Sequence, residues 1–252
     1  MREDGGVESV EVVLANNDRV TLRVGDTFLK VDADQARTDV EVEALALAPV
    51  PTPEVLWREP PVLALAALTG RTLGRLGQPS TASPAAWAAV GAAIRTLHDA
   101  PLPPWPEKPL DELALRLGEE CDWLVANDVL SADAVARNRE LAEKVLRPYE
   151  PVFIHGDLHL EHVFVVGDEV SGIIDWSEAR QGDGLFDIAS LTLANEEHLD
   201  DVIRGYGGQV DRDLVRAWWS WRCLLNVRWL VKNGYGSPDE LPEVAVLRSI
   251  GP

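Results

Sequence analysis

The sequence predicts an α+β fold in two lobes: a small antiparallel β-sheet with one helix, then a larger, mainly helical part. Two observations carry this. Up to residue 68 apolar residues alternate at period 2 in short runs separated by turn pairs; from Ser83 onward they recur at helical spacing between caps and prolines. A third is the absence of any internal repeat or low-complexity tract. The change of period places the boundary between residues 1–68 and 69–252.

The first lobe opens with three alternating segments, Val10 to Leu14, Arg19 to Val24 and Thr27 to Val31. Asn16-Asn17-Asp18 and Gly25-Asp26 separate them as turns, so they form an antiparallel meander. Asp39 to Ala48 has a helical pattern, stopped by Pro49, Pro51 and Pro53. Val55 to Trp57 and Val62 to Leu68 complete a five-stranded sheet. In the second lobe, Ser83 with Pro84 just inside starts a helix over Ala85 to His98. The proline-rich stretch from Pro101 to Pro106 ends it. Helices follow over Asp111 to Asn127 and Ser131 to Leu146. Short strands are expected at Pro151 to Ile154, Val163 to Val166 and Ser171 to Ile174. Three more helices, Asp183 to Ala194, His198 to Tyr206 and Asp211 to Asn233, finish the pattern.

Composition narrows the function. The chain has 252 residues, 46% hydrophobic and 26% charged, as globular proteins do. Its longest apolar run, Val62 to Leu68, falls short of the roughly 18–20 residues of a membrane span. The acidic N-terminus is not expected to be a signal peptide, and two cysteines make no disulfide framework, so a reducing cytoplasm is the expected compartment. A net charge of −19 argues against nucleic acid or anionic membranes as partners; it would concentrate a cationic ligand, or serve only solubility or adaptation to salt. Nine of the 16 aromatic residues are tryptophan; Trp218, Trp219, Trp221 and Trp229 are expected to pack a helix core.

The chemistry concentrates in Phe153-Ile154-His155-Gly156-Asp157-Leu158-His159-Leu160-Glu161-His162-Val163-Phe164, followed by Gly172-Ile173-Ile174-Asp175-Trp176. A polar loop between two strands presents Asp157, and a later strand ending in Asp175 brings a second acid alongside. Phosphoryl transfer asks for this pair: one carboxylate to accept the proton of the attacking hydroxyl, another to hold a metal between the phosphates. Protein kinases use the same order of groups.

These residues resemble the signature of the aminoglycoside phosphotransferase and choline kinase superfamily: His-Gly-Asp-Leu, a strand, then Ile-Asp-Trp. Gly182-Asp183-Gly184-Leu185-Phe186-Asp187-Ile188-Ala189 is similar to a further family segment, as are Phe28-Leu29-Lys30-Val31, Asp39-Val40-Glu41-Val42-Glu43, Pro51-Thr52-Pro53-Glu54-Val55-Leu56 and Arg95-Thr96-Leu97-His98. The likeness runs in order from Asn17 to Ala189. It implies a protein-kinase-like fold and transfer of the γ-phosphoryl of ATP or GTP to a hydroxyl of a small cationic molecule, such as an aminoglycoside or other antibiotic. By the same resemblance Asp157 is the catalytic base and Asp175 a ligand of Mg²⁺. Lys30 clamps the phosphates, paired with Glu43 in preference to Glu41. Adenine meets main-chain groups near Ala66 and Leu68. The usual glycine-rich loop is replaced by Ala15-Asn16-Asn17-Asp18, which assigns Asn17 to phosphate.

The chain departs from the family pattern at His162, five residues after Asp157, where asparagine is expected as a metal ligand. Imidazole suits Mn²⁺ or Zn²⁺ better than Mg²⁺. Three readings stay open: His162 ligates metal, contacts phosphate as imidazolium, or marks a weakened kinase. An inactive nucleotide-binding module is one alternative. A metal-dependent hydrolase using His155, His159 and His162 is another, with an incomplete ligand set. The acids Glu178, Glu196, Glu197, Asp200 and Asp201 are candidates to receive ammonium groups, or else form a solvated helix face.

Overall fold

A computed structural model describes residues 9–16 and 18–249. The N-terminal sheet contains β1 (Val10–Ala15), β2 (Arg19–Val24), β3 (Thr27–Asp32), β4 (Val55–Glu59) and β5 (Val62–Ala66). They run antiparallel in the order β1-β2-β3-β5-β4, the five-stranded sheet that the alternation implies. Helix α1 (Gln35–Leu47) lies between β3 and β4. It begins four residues earlier than its apolar spacing suggested. Its first turn is polar and shows no periodicity, and the start is set by Asp34, whose carboxylate accepts the amides of Ala36 and Arg37.

The C-terminal part holds α2 (Pro84–His98), α3 (Leu110–Ala126), α4 (Ala132–Glu143), α5 (Leu185–Thr192), α6 (Leu199–Tyr206), α7 (Arg212–Lys232) and α8 (Pro242–Ser249). Ser83 caps α2 with Pro84 in its first turn, as its sequence predicts. Two small sheets support the loop regions. One joins β6 (Arg71–Thr72), β8 (Val163–Val166) and β9 (Glu169–Ile173); the other pairs β7 (Val152–Ile154) with β10 (Arg180–Gly182). Strands β6 and β10 and helix α8 were not legible in sequence. Two or three residues are too few to establish a period, and α8 is short.

The helical core is close-packed at its largest crossing, α2 on α6. A Cβ on Gly205 would lie 1.7 Å from the Ala88 carbonyl oxygen, and one on Gly91 2.1 Å from that of Val202. The two backbones therefore touch, which only glycine permits. Trp218, Trp219 and Trp221 are buried on α7 as expected, with the Trp218 and Trp219 indoles donating to Asp183 and the Ala189 carbonyl. Trp229 differs: it is 51% exposed and stacks on Tyr235. Among the described residues no helix is long and apolar enough to cross a membrane.

Candidate active site

The loop from His155 to His162 joins β7 to β8 and is held from beneath. Asp187, fully buried near the start of α5, accepts the His155 amide on Oδ2 at 2.8 Å and the Gly156 amide on Oδ1 at 3.0 Å. Its Oδ2 also faces His98 Nε2 at 3.2 Å, and His98 Nδ1 lies 3.1 Å from the Tyr206 hydroxyl. A carboxylate only accepts, so His98 donates through Nε2 and Nδ1 accepts from Tyr206. Gly156 adopts φ +83°, and a Cβ there would sit 2.1 Å from the Glu178 carbonyl oxygen. The glycine of the His-Gly-Asp motif is thus a conformational and steric requirement.

His155 ties the two motif acids together. Its Nε2–H donates to the Ile174 carbonyl at 2.9 Å, one residue before Asp175, and its Nδ1 accepts the Asp157 amide at 3.2 Å. Burial pushes this imidazole below its usual range, so it is neutral and structural. Asp157 projects into the cleft, its side chain 33% exposed, with Oδ1 bonded to Arg222 Nη2 of α7 at 2.5 Å. Burial would raise its pKa, but Arg222, His162 and His159 outweigh burial and bring it down to about 2. Asp157 is ionised throughout the neutral range.

Asp175 follows β9 in the left-handed region, φ 63°, which aspartate tolerates better than most residues. Lys30 Nζ lies 3.0 Å from its Oδ1, Arg19 Nη1 lies 3.3 and 3.4 Å from its two oxygens, and His162 Nε2 lies 3.6 Å from Oδ2. Burial would raise Asp175, yet Lys30, with His162 and Arg19, holds its carboxyl well below the ordinary range. Lys30 also bonds both oxygens of Glu41 at 2.6 Å. Burial opposes the lysine's charge, but Asp175 and Glu41 outweigh it and raise its pKa.

The expected Lys30–Glu43 pair is therefore corrected to Lys30–Glu41. Residues two apart on a helix point about 200° apart, so only one of the two acids can face the sheet. Thr38, Glu41, Ala44 and Leu45 form the buried stripe of α1, and Glu43 is exposed. Asn17 lies outside the described residues. Beside it, Asn16 Oδ1 accepts the amides of Asp18 and Arg19 at 3.0 and 2.8 Å, closing the β1–β2 connection as an Asx turn.

The donor set fits a divalent cation. His162 Nδ1–H donates to the Asp157 carbonyl at 2.8 Å, which leaves the Nε2 lone pair facing Asp175. Two ligands at right angles on bonds of about 2.1 Å stand about 3 Å apart, close to the 3.6 Å seen here. Asp157, His159 and His162 also bring ligand atoms within 4.8 Å of one another. That set is less suitable: Arg222 occupies Asp157, and the Glu161 amide donates to His159 Nδ1 at 3.3 Å. The His159 ring lies tilted against His162, centroids 3.6 Å apart, and burial together with His162 pushes its pKa down to about 3.

Arg19, Lys30, Asp157, His159, His162, Asp175 and Arg222 line one cleft of 1780 Å³, larger than the roughly 300–1,000 Å³ of a single small-molecule site. Ala66, Leu68, Phe28, Val40 and Leu65 from the N-terminal part line it, as do Trp221, Arg222, Leu225 and Trp229 of α7. The Ala66 amide already donates to the Glu54 carbonyl at 2.9 Å. Four of the acids considered for ammonium groups are neutralised: Glu178 by Arg37, Glu196 by Arg216, Asp200 by Arg212 and Asp201 by Arg204. Glu197 lines the cleft. Arg19 and Arg222 were missed in the sequence. Arg19 shows itself only through strand register, and Arg222 is one arginine within a tryptophan-rich helix.

The family model described as the phosphotransferase enzyme family matches residues 5–224. Among solved structures, the GDP and kanamycin complex of APH(2")-IIia superposes with a TM-score of 0.74 at 18% identity, covering 97% of this chain and 93% of that one. Macrolide 2'-phosphotransferase MphH from Brachybacterium faecium gives 0.68 at 17% identity, over 99% and 94%. A choline/ethanolamine kinase family protein from Mesorhizobium loti gives 0.65 at 20%, over 97% and 94%. These likenesses show the kinase-like fold.

Proposed function

We propose that this chain, which belongs to the phosphotransferase enzyme family, transfers the γ-phosphoryl of ATP or GTP to a hydroxyl of a small, hydroxylated amine. The observation that carries the reading is the meeting of Asp157, Asp175 and Lys30 in one cleft, with His162 between the two acids. Asp157 Oδ1 is fixed by Arg222, so Oδ2 is the atom left to accept the acceptor's hydroxyl proton. Lys30, aimed by Glu41, meets the phosphates. Adenine or guanine lies against Ala66 and Leu68, with the Leu68 main chain as its polar contact. Asp175 and His162 would hold Mg²⁺ or Mn²⁺, which when bound neutralises charge on the phosphates. Glu197 is the carboxylate proposed to meet an amine. Aminoglycosides and macrolides are the first acceptors to try, given the similar structures.

The test separates the two acids. Asp157→Asn should keep the nucleotide dissociation constant in Mg²⁺ and lose turnover, because its role arises at the attacking hydroxyl. Asp175→Asn should weaken metal-nucleotide binding. Equal loss of binding in both variants would refute the division of roles.

A further inference from the structure

Lys30 is not the only cation on the cleft face of the sheet. In the antiparallel β2–β3 pair, Arg19 stands opposite Asp32 and Thr21 opposite Lys30. Side chains alternate along a strand and opposed residues share a face, so Arg19, Thr21, Lys30 and Asp32 project together. All four line the cleft. Arg19 is the first residue of β2, immediately after the Asx turn that stands where a glycine-rich loop would offer backbone amides.

The bonds of Arg19 are unequal. Its Nε donates to the buried Asp32 carboxylate at 2.8 Å, a full charge-assisted bond that fixes the guanidinium plane. Its terminal nitrogens are held more loosely, Nη1 at 3.3 and 3.4 Å from Asp175 and Nη2 at 3.3 Å from Ser177 Oγ. Arg19 Nη1 and Lys30 Nζ both reach the same atom, Asp175 Oδ1. Two cations therefore share one carboxylate oxygen, each anchored behind by its own acid, Asp32 or Glu41. A divalent metal held through the other oxygen, Oδ2, with His162 would offset the Asp175 charge that the two cations share at Oδ1.

We infer that Arg19 is a second phosphate-binding residue, which together with Lys30 grips the terminal phosphates of a nucleoside polyphosphate in place of loop amides. The inference rests on the nucleotide-binding reading above. The guanidinium is well shaped for this role, because once anchored through Nε it presents two terminal nitrogens in the planar fork that matches phosphate oxygens. Asp175 serves as the stand-in anion while phosphate is absent.

Calorimetric titration of AMP, ADP and a non-hydrolysable ATP analogue with Mg²⁺ tests this on wild-type protein, Arg19→Gln and Arg19→Lys. One lost charge-assisted contact implies a fall of about tenfold or more in affinity for the triphosphate analogue with Arg19→Gln. ADP should lose less, AMP should be unchanged, and Arg19→Lys should recover part of the loss. An unchanged triphosphate affinity in Arg19→Gln, or an equal loss for AMP, would overturn the inference while leaving the kinase reading in place. Wild-type protein that binds none of the three would overturn both. Melting temperatures of the two variants separate a local effect from misfolding, since a purely structural Arg19 lowers them without any dependence on phosphate number.

Discussion

Replacing Asp187 should damage stability and catalysis together, by an amount its bonds set. Its side chain is fully buried and accepts from the His155 amide, the Gly156 amide and His98 Nε2. Alanine leaves two buried backbone donors without partners. At about 1–3 kcal/mol each, the loss is roughly 2–6 kcal/mol, a large part of the 5–15 kcal/mol typical of a domain. Asparagine fills the same volume, but its amide nitrogen must face either the His155 or the Gly156 N–H. One donor is then orphaned, and the loss is about 1–3 kcal/mol. The anion also carries a pH dependence. Burial opposes its charge, but His98 and the His155 amide outweigh burial and hold its pKa below the ordinary carboxylate value. A depressed folded-state pKa gives stability that is complete above the unfolded value of about 3.9 and is lost as pH falls through the folded one. Urea unfolding at pH 7 and across the acid range, on wild type, Asp187→Asn and Asp187→Ala, measures both effects. Equal stability of the asparagine variant and wild type at pH 7, or the same acid dependence in both, would refute this account of the loop.

Three other outcomes follow from the same geometry. Gly205→Ala places a Cβ 1.7 Å from the Ala88 carbonyl oxygen and should cost about 1–3 kcal/mol or more, read as a lower melting temperature with little change in nucleotide affinity of the folded protein. Arg222→Gln removes the partner of Asp157. The cost should be roughly 1–3 kcal/mol, below the 3–5 kcal/mol of fully buried pairs because Asp157 is one-third exposed, and turnover should fall while nucleotide affinity stays. His162→Asn exchanges a nitrogen ligand for an oxygen, so the ratio of rates in Mn²⁺ and Mg²⁺ should move towards Mg²⁺; an unchanged ratio would remove His162 from the metal site.

The strand pattern, the α2 cap and the Asp157/Asp175 motif were legible because each is local: a period, a cap residue or a short spacing. What failed was whatever depends on how elements face one another. Glu41 and Glu43 are indistinguishable as symbols, and only the orientation of α1 on the sheet decides between them. Arg19 reads as an ordinary strand residue until β2 is set in register with β3. Arg222 reads as a solubilising residue among tryptophans until α7 is laid beneath the loop, 65 positions away in sequence from the acid it bonds. Acidic residues on helix surfaces read as receptors for amines until their arginine partners are seen.

The missed residues share a physical role. Neither Asp157 nor Asp175 is placed by its own segment alone: each acid carries an arginine from a distant element, Arg222 from α7 and Arg19 from β2. An isolated carboxylate in a cleft costs several kcal/mol through desolvation, and a cation at hydrogen-bonding distance offsets that cost while keeping the group ionised. The two partnerships differ in consequence. Arg222 takes one oxygen of Asp157 and leaves the other open to the cleft. Arg19 meets both oxygens of Asp175 at 3.3 and 3.4 Å, more loosely than Lys30, which bonds Oδ1 at 3.0 Å. The first pairing keeps Asp157 ionised with one oxygen free; the second leaves Asp175 shared between two cations.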